Sequence, residues 1–245
     1  MHESNDLKGK RHRLSSYQDP VERRCEMIIT KEKPLEEIYG YISDCKNVLF
    51  VGCDGCTQPP RGLKEAETLA KLVEMKAKME GKEIRCRFTT VVKQCCETSV
   101  GNLRTEMEGC DAMVSLACGV GVQIMNKVYP EVCTYPAQDT KFIGAEEIRQ
   151  GPMYEMCLAC GECILHETGG ICPVTRCAKG LLNGPCGGCV DGKCELPMEV
   201  NGELVKNDCA WYLIYHRLKE LGRLDLFRKY RPPKKRSLAM NPRRL

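Results

Sequence analysis

The sequence has few aromatic residues, few histidines and no long apolar run. Aromatics make up 6% of its 245 residues, with a single tryptophan, so a core has to be filled by aliphatic side chains, methionine and cysteine. No stretch approaches the roughly 18–20 apolar residues of a membrane-spanning helix. The opening segment MHESNDLKGKRHRLSSYQDP has no apolar stretch of the kind a secretory leader carries, so a cytoplasmic location is expected. A G-x-x-x-x-G-K-[ST] phosphate loop is absent. Gly119-x-Gly121 starts like a dinucleotide fingerprint but places Ile124 where the third glycine belongs. Of the four histidines only His166 lies in the cysteine-rich half, and no nucleophile–base arrangement stands out. No catalytic residue is assigned on this reading, and the chain reads as a conduit rather than a catalyst.

The formal net charge of +4 is small for this length, and the basic residues gather at the ends, in KGKRHR and RPPKKRSLAMNPRRL. Such runs read as solvated tails that can dock a partner, not as a nucleic-acid footprint.

Cysteine is what the chain has in excess: 19 residues, near the level of metal-rich or disulfide-rich proteins. The count is odd and many of the cysteines stand in C-x-x-C pairs. In a reducing compartment that pattern serves metals or redox chemistry rather than disulfides.

Hydrophobic periodicity divides the chain into four parts. Residues 1–25 form a polar arm, and 26–150 an α/β cluster-binding domain. Residues 151–206 form a cysteine-rich metal-binding domain, and 207–245 a C-terminal helix with a basic tail. In the second part an extended piece (27–30) precedes a helix over about 34–44, a buried strand at Val48–Val51, and a helix over 61–80. A strand over 83–92, a helix over 99–108, a strand over 111–117, a helix ending near Val128 and a strand at 132–135 follow. This alternation predicts a small three-layer parallel sheet of flavodoxin-like or Rossmann-like type. From Cys157 to Cys194, eight cysteines and eight glycines fall in 38 residues with little periodicity. Such a stretch has to be organised around metal rather than around an apolar core.

Two constellations of candidate metal ligands emerge. Cys53 and Cys56 follow the first parallel strand, Cys95 and Cys96 the second, and Cys118 the third. Carboxyl ends of parallel strands share one edge, so Cys53, Cys56, Cys118 and one of Cys95 or Cys96 supply the four thiolates of a [4Fe–4S] cluster. The second set is Cys157, Cys160, Cys163, Cys172, Cys177, Cys186, Cys189 and Cys194. Its C-x-x-C-x-x-C opening and its Cys172-Pro173 pair match a bacterial ferredoxin, although the gap before Cys172 is longer. Zinc is the rival, with Cys186 and Cys189 joined by Cys172 or Cys177. Cys25, Cys45, Cys86, Cys110, Cys133 and Cys209 read as isolated, small buried hydrophobes.

The words TGGICPVTRCAKGLLNGPCGG resemble the C-terminal domain of the methylenetetrahydrofolate reductase family of acetogenic and related anaerobes, where it forms a separate small subunit. KNVLFVGCDGC, KQCCE and SLACGVGVQ are similar to the same subunit, so the resemblance covers nearly the whole chain. It implies an oxidoreductase subunit of one-carbon metabolism, in the Wood–Ljungdahl pathway, carrying two or three [4Fe–4S] clusters with room for one zinc ion. The implied partners are an electron-donor subunit and a flavin-bearing TIM-barrel subunit. The latter binds FMN and reduces 5,10-methylenetetrahydrofolate to 5-methyltetrahydrofolate, so the catalytic residues belong to it. The alternative is a zinc-stabilised assembly subunit of the same complex that carries no electrons.

Overall fold

The run Val48-Leu49-Phe50-Val51 is apolar at every position, as a strand covered on both faces requires. In the computed structural model, which describes residues 27–146, 153–200 and 202–235, it lies in the middle of a parallel sheet. The first half of the chain runs β1 (Ile28–Glu32), α1 (Leu35–Ile42), β2 (Asn47–Cys53), β3 (Thr57–Gln58), α2 (Leu63–Met79) and β4 (Arg85–Val91). It continues through α3 (Glu97–Gly101), α4 (Arg104–Met107), β5 (Ala112–Ser115), α5 (Gly119–Val128), β6 (Cys133–Pro136) and β7 (Gln138–Glu146). After that come β8 (Met153–Cys157), α6 (Pro173–Arg176), β9 (Met198–Val200), β10 (Glu203–Val205) and α7 (Ala210–Glu220).

Strands β4, β2, β5 and β6 form one sheet in that order, every pair parallel. Successive side chains of a strand point to opposite faces, and the core divides accordingly. Val48 and Phe50 pack with Ile38 and Ile42 of α1 and with Ala66, Leu69, Ala70 and Val73 of α2. Leu49 and Val51 pack on the other face with Val100, Leu103 and Met107 of α3 and α4, and with Met125 and Tyr129 around α5. The chain is therefore mixed α/β with a parallel sheet, as expected.

A second sheet, ordered β3-β1-β7-β8, had no counterpart in the sequence reading. β7 pairs antiparallel with β1 and with β8, the latter pairing bringing Ile143 opposite Cys157. Its opening residues, Gln138-Asp139-Thr140-Lys141, are polar and read as loop; pairing, not hydrophobicity, makes them a strand. The helix expected over 99–108 is two short ones, broken near Gly101-Asn102, both poor helix formers. The expected polar arm, with Cys25, and the end of the basic tail beyond 235 lie outside the described residues. Among the described residues no helix is long and apolar enough to cross a membrane.

The cysteine-rich stretch gains its apolar packing from α7. Trp211, Ile214 and Leu218 lie on one buried stripe against Ile171, Cys177, Leu181, Leu226 and Phe227. The Trp211 indole N–H donates to Leu181 O at 3.0 Å. The segment after α7 is then tied back by a buried ion pair. Arg231, 3% exposed, donates from Nε to Glu167 Oε2 at 2.8 Å and from its second terminal nitrogen to Glu167 O at 3.1 Å. Lys229 makes a second ion pair with the same carboxylate.

Removing one partner of such a pair leaves a buried, uncompensated charge, so Glu167→Ala should cost about 3–5 kcal/mol. The readout is the urea midpoint followed by Trp211 fluorescence. Lys229 foremost, then Arg231, hold the Glu167 carboxyl below the usual carboxylate range against the opposing effect of burial. A depressed folded value stabilises above the unfolded value of about 4.3. Its contribution should therefore be whole at neutral pH and be lost as pH falls through the lower folded value. Glu167→Gln should flatten that part of the acid-unfolding profile.

Candidate metal centre

In an open parallel sheet the ligand crevice lies beyond the carboxyl ends of the strands, where the strand order reverses. Here β2 sends the chain to β4 on one side while β5 and β6 lie on the other, so the reversal falls between β2 and β5. Cys53 is the last residue of β2, and Cys118 is the N-cap of α5, just past β5. Cys56 lies in the loop between β2 and β3, and Cys95 follows β4. The Cys53 and Cys56 thiols both lie within electrostatic reach of Cys118 and Cys95, and Cys56 also within reach of Cys53. Four thiols thus gather at one crevice. Cys96 caps α3, where the Ser99 backbone N–H foremost lowers its pKa.

Burial foremost raises the pKa of Cys53, while the nearby backbone N–H groups of Gln94 and Gly55 work the other way. Burial likewise raises Cys56, with the neighbouring thiols adding to it. The crevice is held by Gln94, which is fully buried. Its side-chain N–H₂ donates to Val51 O at 2.8 Å and Gly52 O at 2.9 Å, and its Oε1 accepts from Ser115 Oγ at 2.6 Å. One side chain therefore joins the ends of β2 and β5 to the loop carrying Cys95. α5 approaches so closely that a Cβ on Gly121 would stand 2.8 Å from the Gln94 Cβ and 2.6 Å from the Ala117 Cβ. Gly119 N–H donates to Thr140 Oγ1 at 2.8 Å, joining α5 to β7.

Among the described residues no three His, Cys, Asp or Glu side chains close around a single ion position. Four thiols at one crevice are a donor set that fits either a cuboidal cluster or a single zinc ion. Thr57 Oγ1 and Gln58 Oε1, directly after Cys56, are buried with no hydrogen-bond partner among the described residues, leaving polar capacity beside the thiols.

The second constellation is spread along the cysteine-rich stretch. Cys157 ends β8, and its sulfur accepts the Ala159 N–H at 3.3 Å. Cys186 repeats that turn, accepting the Gly188 N–H at 3.4 Å. Both are C-x-x-C turns in which the backbone donates to the first sulfur. Ala159 lies in the left-handed region at φ 49° and Gly187 at φ 90°. Cys160 is half-buried and Cys163 exposed; Cys172 caps α6, and Cys177 follows it against the Trp211 cluster. Cys194 and Cys189 lie close together, and so does Cys209, which the sequence reading had set aside as isolated. The missed signal is position: Cys209 caps α7 as Cys118 caps α5 and Cys172 caps α6. Thiolates are favoured at helix N-termini. Burial pushes the Cys86 thiol up to about 12, yet Cys45, Cys86 and Cys110 are only half-buried and Cys133 is exposed, short of the buried positions expected for them.

The fold and its thiols define an α/β protein with a cysteine-lined crevice followed by a cysteine-rich segment. Residues 135–237, which hold that segment together with α7, match the family model described as methylene-tetrahydrofolate reductase C terminal. No curated protein matches the chain. A solved structure, the extracellular ligand-binding receptor from Verminephrobacter eiseniae ef01-2, is 11% identical over 42% of this chain and 28% of its own length, with a TM-score of 0.31.

Replacing Gln94 by Leu keeps the bulk but removes the amide donor to Gly52 O and the acceptor of the buried Ser115 hydroxyl, while Val51 O keeps the Leu116 N–H. Buried unsatisfied groups cost about 1–3 kcal/mol each, so Gln94→Leu should lower the urea midpoint and increase the reactivity of Cys53 toward alkylation, read by peptide mass spectrometry.

Proposed function

We propose that this chain is an electron-transfer subunit of a methylenetetrahydrofolate reductase complex, of the kind called MetV. On this reading [4Fe–4S] clusters held by its cysteines pass electrons from a donor subunit to the FMN of a TIM-barrel partner. That partner reduces 5,10-methylenetetrahydrofolate to 5-methyltetrahydrofolate in the cytoplasm. The observation that carries the reading is the gathering of Cys53, Cys56, Cys95 and Cys118 at the reversal point of the parallel sheet. The family match over 135–237 supports the choice of complex. When bound, such clusters supply one-electron acceptors whose potential follows burial and hydrogen bonding to sulfur. The groups that would exert that control on the first station are the backbone N–H groups of Gln94 and Gly55, which lower the pKa of Cys53.

β7 connects the two cysteine stations. Thr140 touches Gly119 beside Cys118, and three residues along the same strand Ile143 pairs with Cys157. Three residues of strand span about 10 Å, a spacing suited to electron transfer between centres at its two ends. On this reading the second sheet, with its polar opening, is the spacer that sets the distance between stations.

Iron and acid-labile sulfide in protein purified without oxygen test the reading. Cys53→Ser and Cys118→Ser should each lose about four irons per chain, together with part of the visible absorption bleached by dithionite. Cys95→Ser should do the same, and Cys96→Ser should keep its full iron. Full iron content in both Cys53→Ser and Cys118→Ser would sink the proposal.

A further inference from the structure

Helix α2 carries two apolar stripes. Ala66, Leu69, Ala70, Val73 and Ala77 are buried where the helix packs on β2, β4 and α1. On the face turned away from them, Thr68, Leu72, Met75 and Met79 recur at intervals of four, three and four residues, the spacing of a coiled-coil seam. Leu72, Met75 and Met79 are 41%, 61% and 84% exposed. Single exposed apolar side chains need no explanation, but three in register on one helix face form a surface that another helix can cover.

One flank of that seam is basic. Lys64, Lys71 and Lys78, all exposed, stand seven residues apart, at the position beside the seam from which coiled-coil partners are chosen by charge. Lys71 pairs with Glu67 at 2.6 Å, whereas Lys64 and Lys78 have no ion pair among the described residues. The other acidic groups nearby are engaged elsewhere. Glu74 accepts the Cys86 N–H at 3.0 Å on the edge of β4, and Glu36 and Glu80 hold Lys76 on the opposite flank.

We propose that this face of α2 docks an amphipathic helix of a second protein, its apolar stripe seated on Leu72, Met75 and Met79 and its acidic side chains set against the lysine row. Charge selects this occupant over the others at hand. Two copies of the chain laid antiparallel through α2 set lysine row against lysine row, and laid parallel they set it against Lys76. Both ends of the chain, KGKRHR and RPPKKRSLAMNPRRL, carry the same sign as the row. Like charges facing one another oppose such pairings, whereas opposite charges fix register and speed encounter. The seam has no tryptophan or tyrosine, the residues that anchor a helix at a lipid interface. Methionine, flexible and unbranched, suits a surface that has to adapt to an incoming side chain. The Arg61 carbonyl just before α2 accepts the Cys53 N–H at 2.7 Å, so the docking face begins at the sheet edge where the cysteines gather. The face stands whether or not clusters occupy that crevice.

The probes are two synthetic helices of about three heptads with leucine at the seam positions, one flanked by glutamate and the other by lysine. Binding to the full chain, purified without oxygen, is read by fluorescence anisotropy of the labelled peptide. The glutamate peptide should bind about tenfold tighter than the lysine peptide or better, and more weakly as salt is raised. Met75→Glu with Met79→Glu should weaken it about tenfold or more, and Lys64→Glu with Lys78→Glu should reverse the preference between the peptides. All four side chains are exposed, so the helical circular dichroism and the urea midpoint should stay at their wild-type values. Should one pair of substitutions shift that midpoint, the other pair decides. Equal binding of both peptides, or unchanged binding by both doubly substituted chains, would overturn the proposal. So would a dimer in ultracentrifugation that Met75→Glu with Met79→Glu converts to monomer, and so would binding of phosphatidylserine vesicles in place of either peptide. Iron loss in Cys53→Ser reports on the electron-transfer reading separately.

Discussion

Burial of β2 on both faces is the constraint on which the rest of the molecule depends. A strand whose central run, Val48–Val51, is apolar at every position has to be paired on both edges and covered above and below, and β4, β5 and the two helical layers do this. Parallel pairing follows from the helical crossovers, and parallel strands end on one edge. Cysteines placed one at each strand end, and far apart in sequence, arrive at one crevice for that reason alone. Gln94 then converts neighbourhood into fixed geometry. A single buried amide joins the ends of β2 and β5 and holds the loop before Cys95. Gly121 lets α5 close over it at a distance no larger residue permits.

The two halves of the chain solve the problem of stability differently. The parallel sheet has two apolar clusters of ordinary size. The cysteine-rich segment has a small one, built on the Trp211 face of α7, with a buried Arg231–Glu167 pair tying down the following segment. A buried ion pair gives register more than net stability.

Much of this was legible in the residues. The Val48–Val51 run, the α2 stripe of Ala66, Leu69, Ala70 and Val73, and Pro130 beyond α5 each carry a local signal of the right period or the right stop. The second sheet was not legible, because β7 opens on polar residues whose strand state depends on partners far away in sequence. The same limit hid Cys209. It stands alone in the sequence and meets Cys189 and Cys194 only through the pairing of residues 207–209 with the hairpin.

The sequence by itself determined that this is an α/β chain with a parallel sheet, that its cysteines cluster in C-x-x-C spacings, and which of them stand at strand ends. Those are matters of periodicity and spacing, written locally. Tertiary structure decided that Cys95 comes within electrostatic reach of Cys53 and Cys56, whereas Cys96 caps α3 beside the Ser99 amide. It also decided which thiols are neighbours in the second half, because side-chain proximity there comes from a non-local ladder, and no spacing along the chain encodes a partner across it.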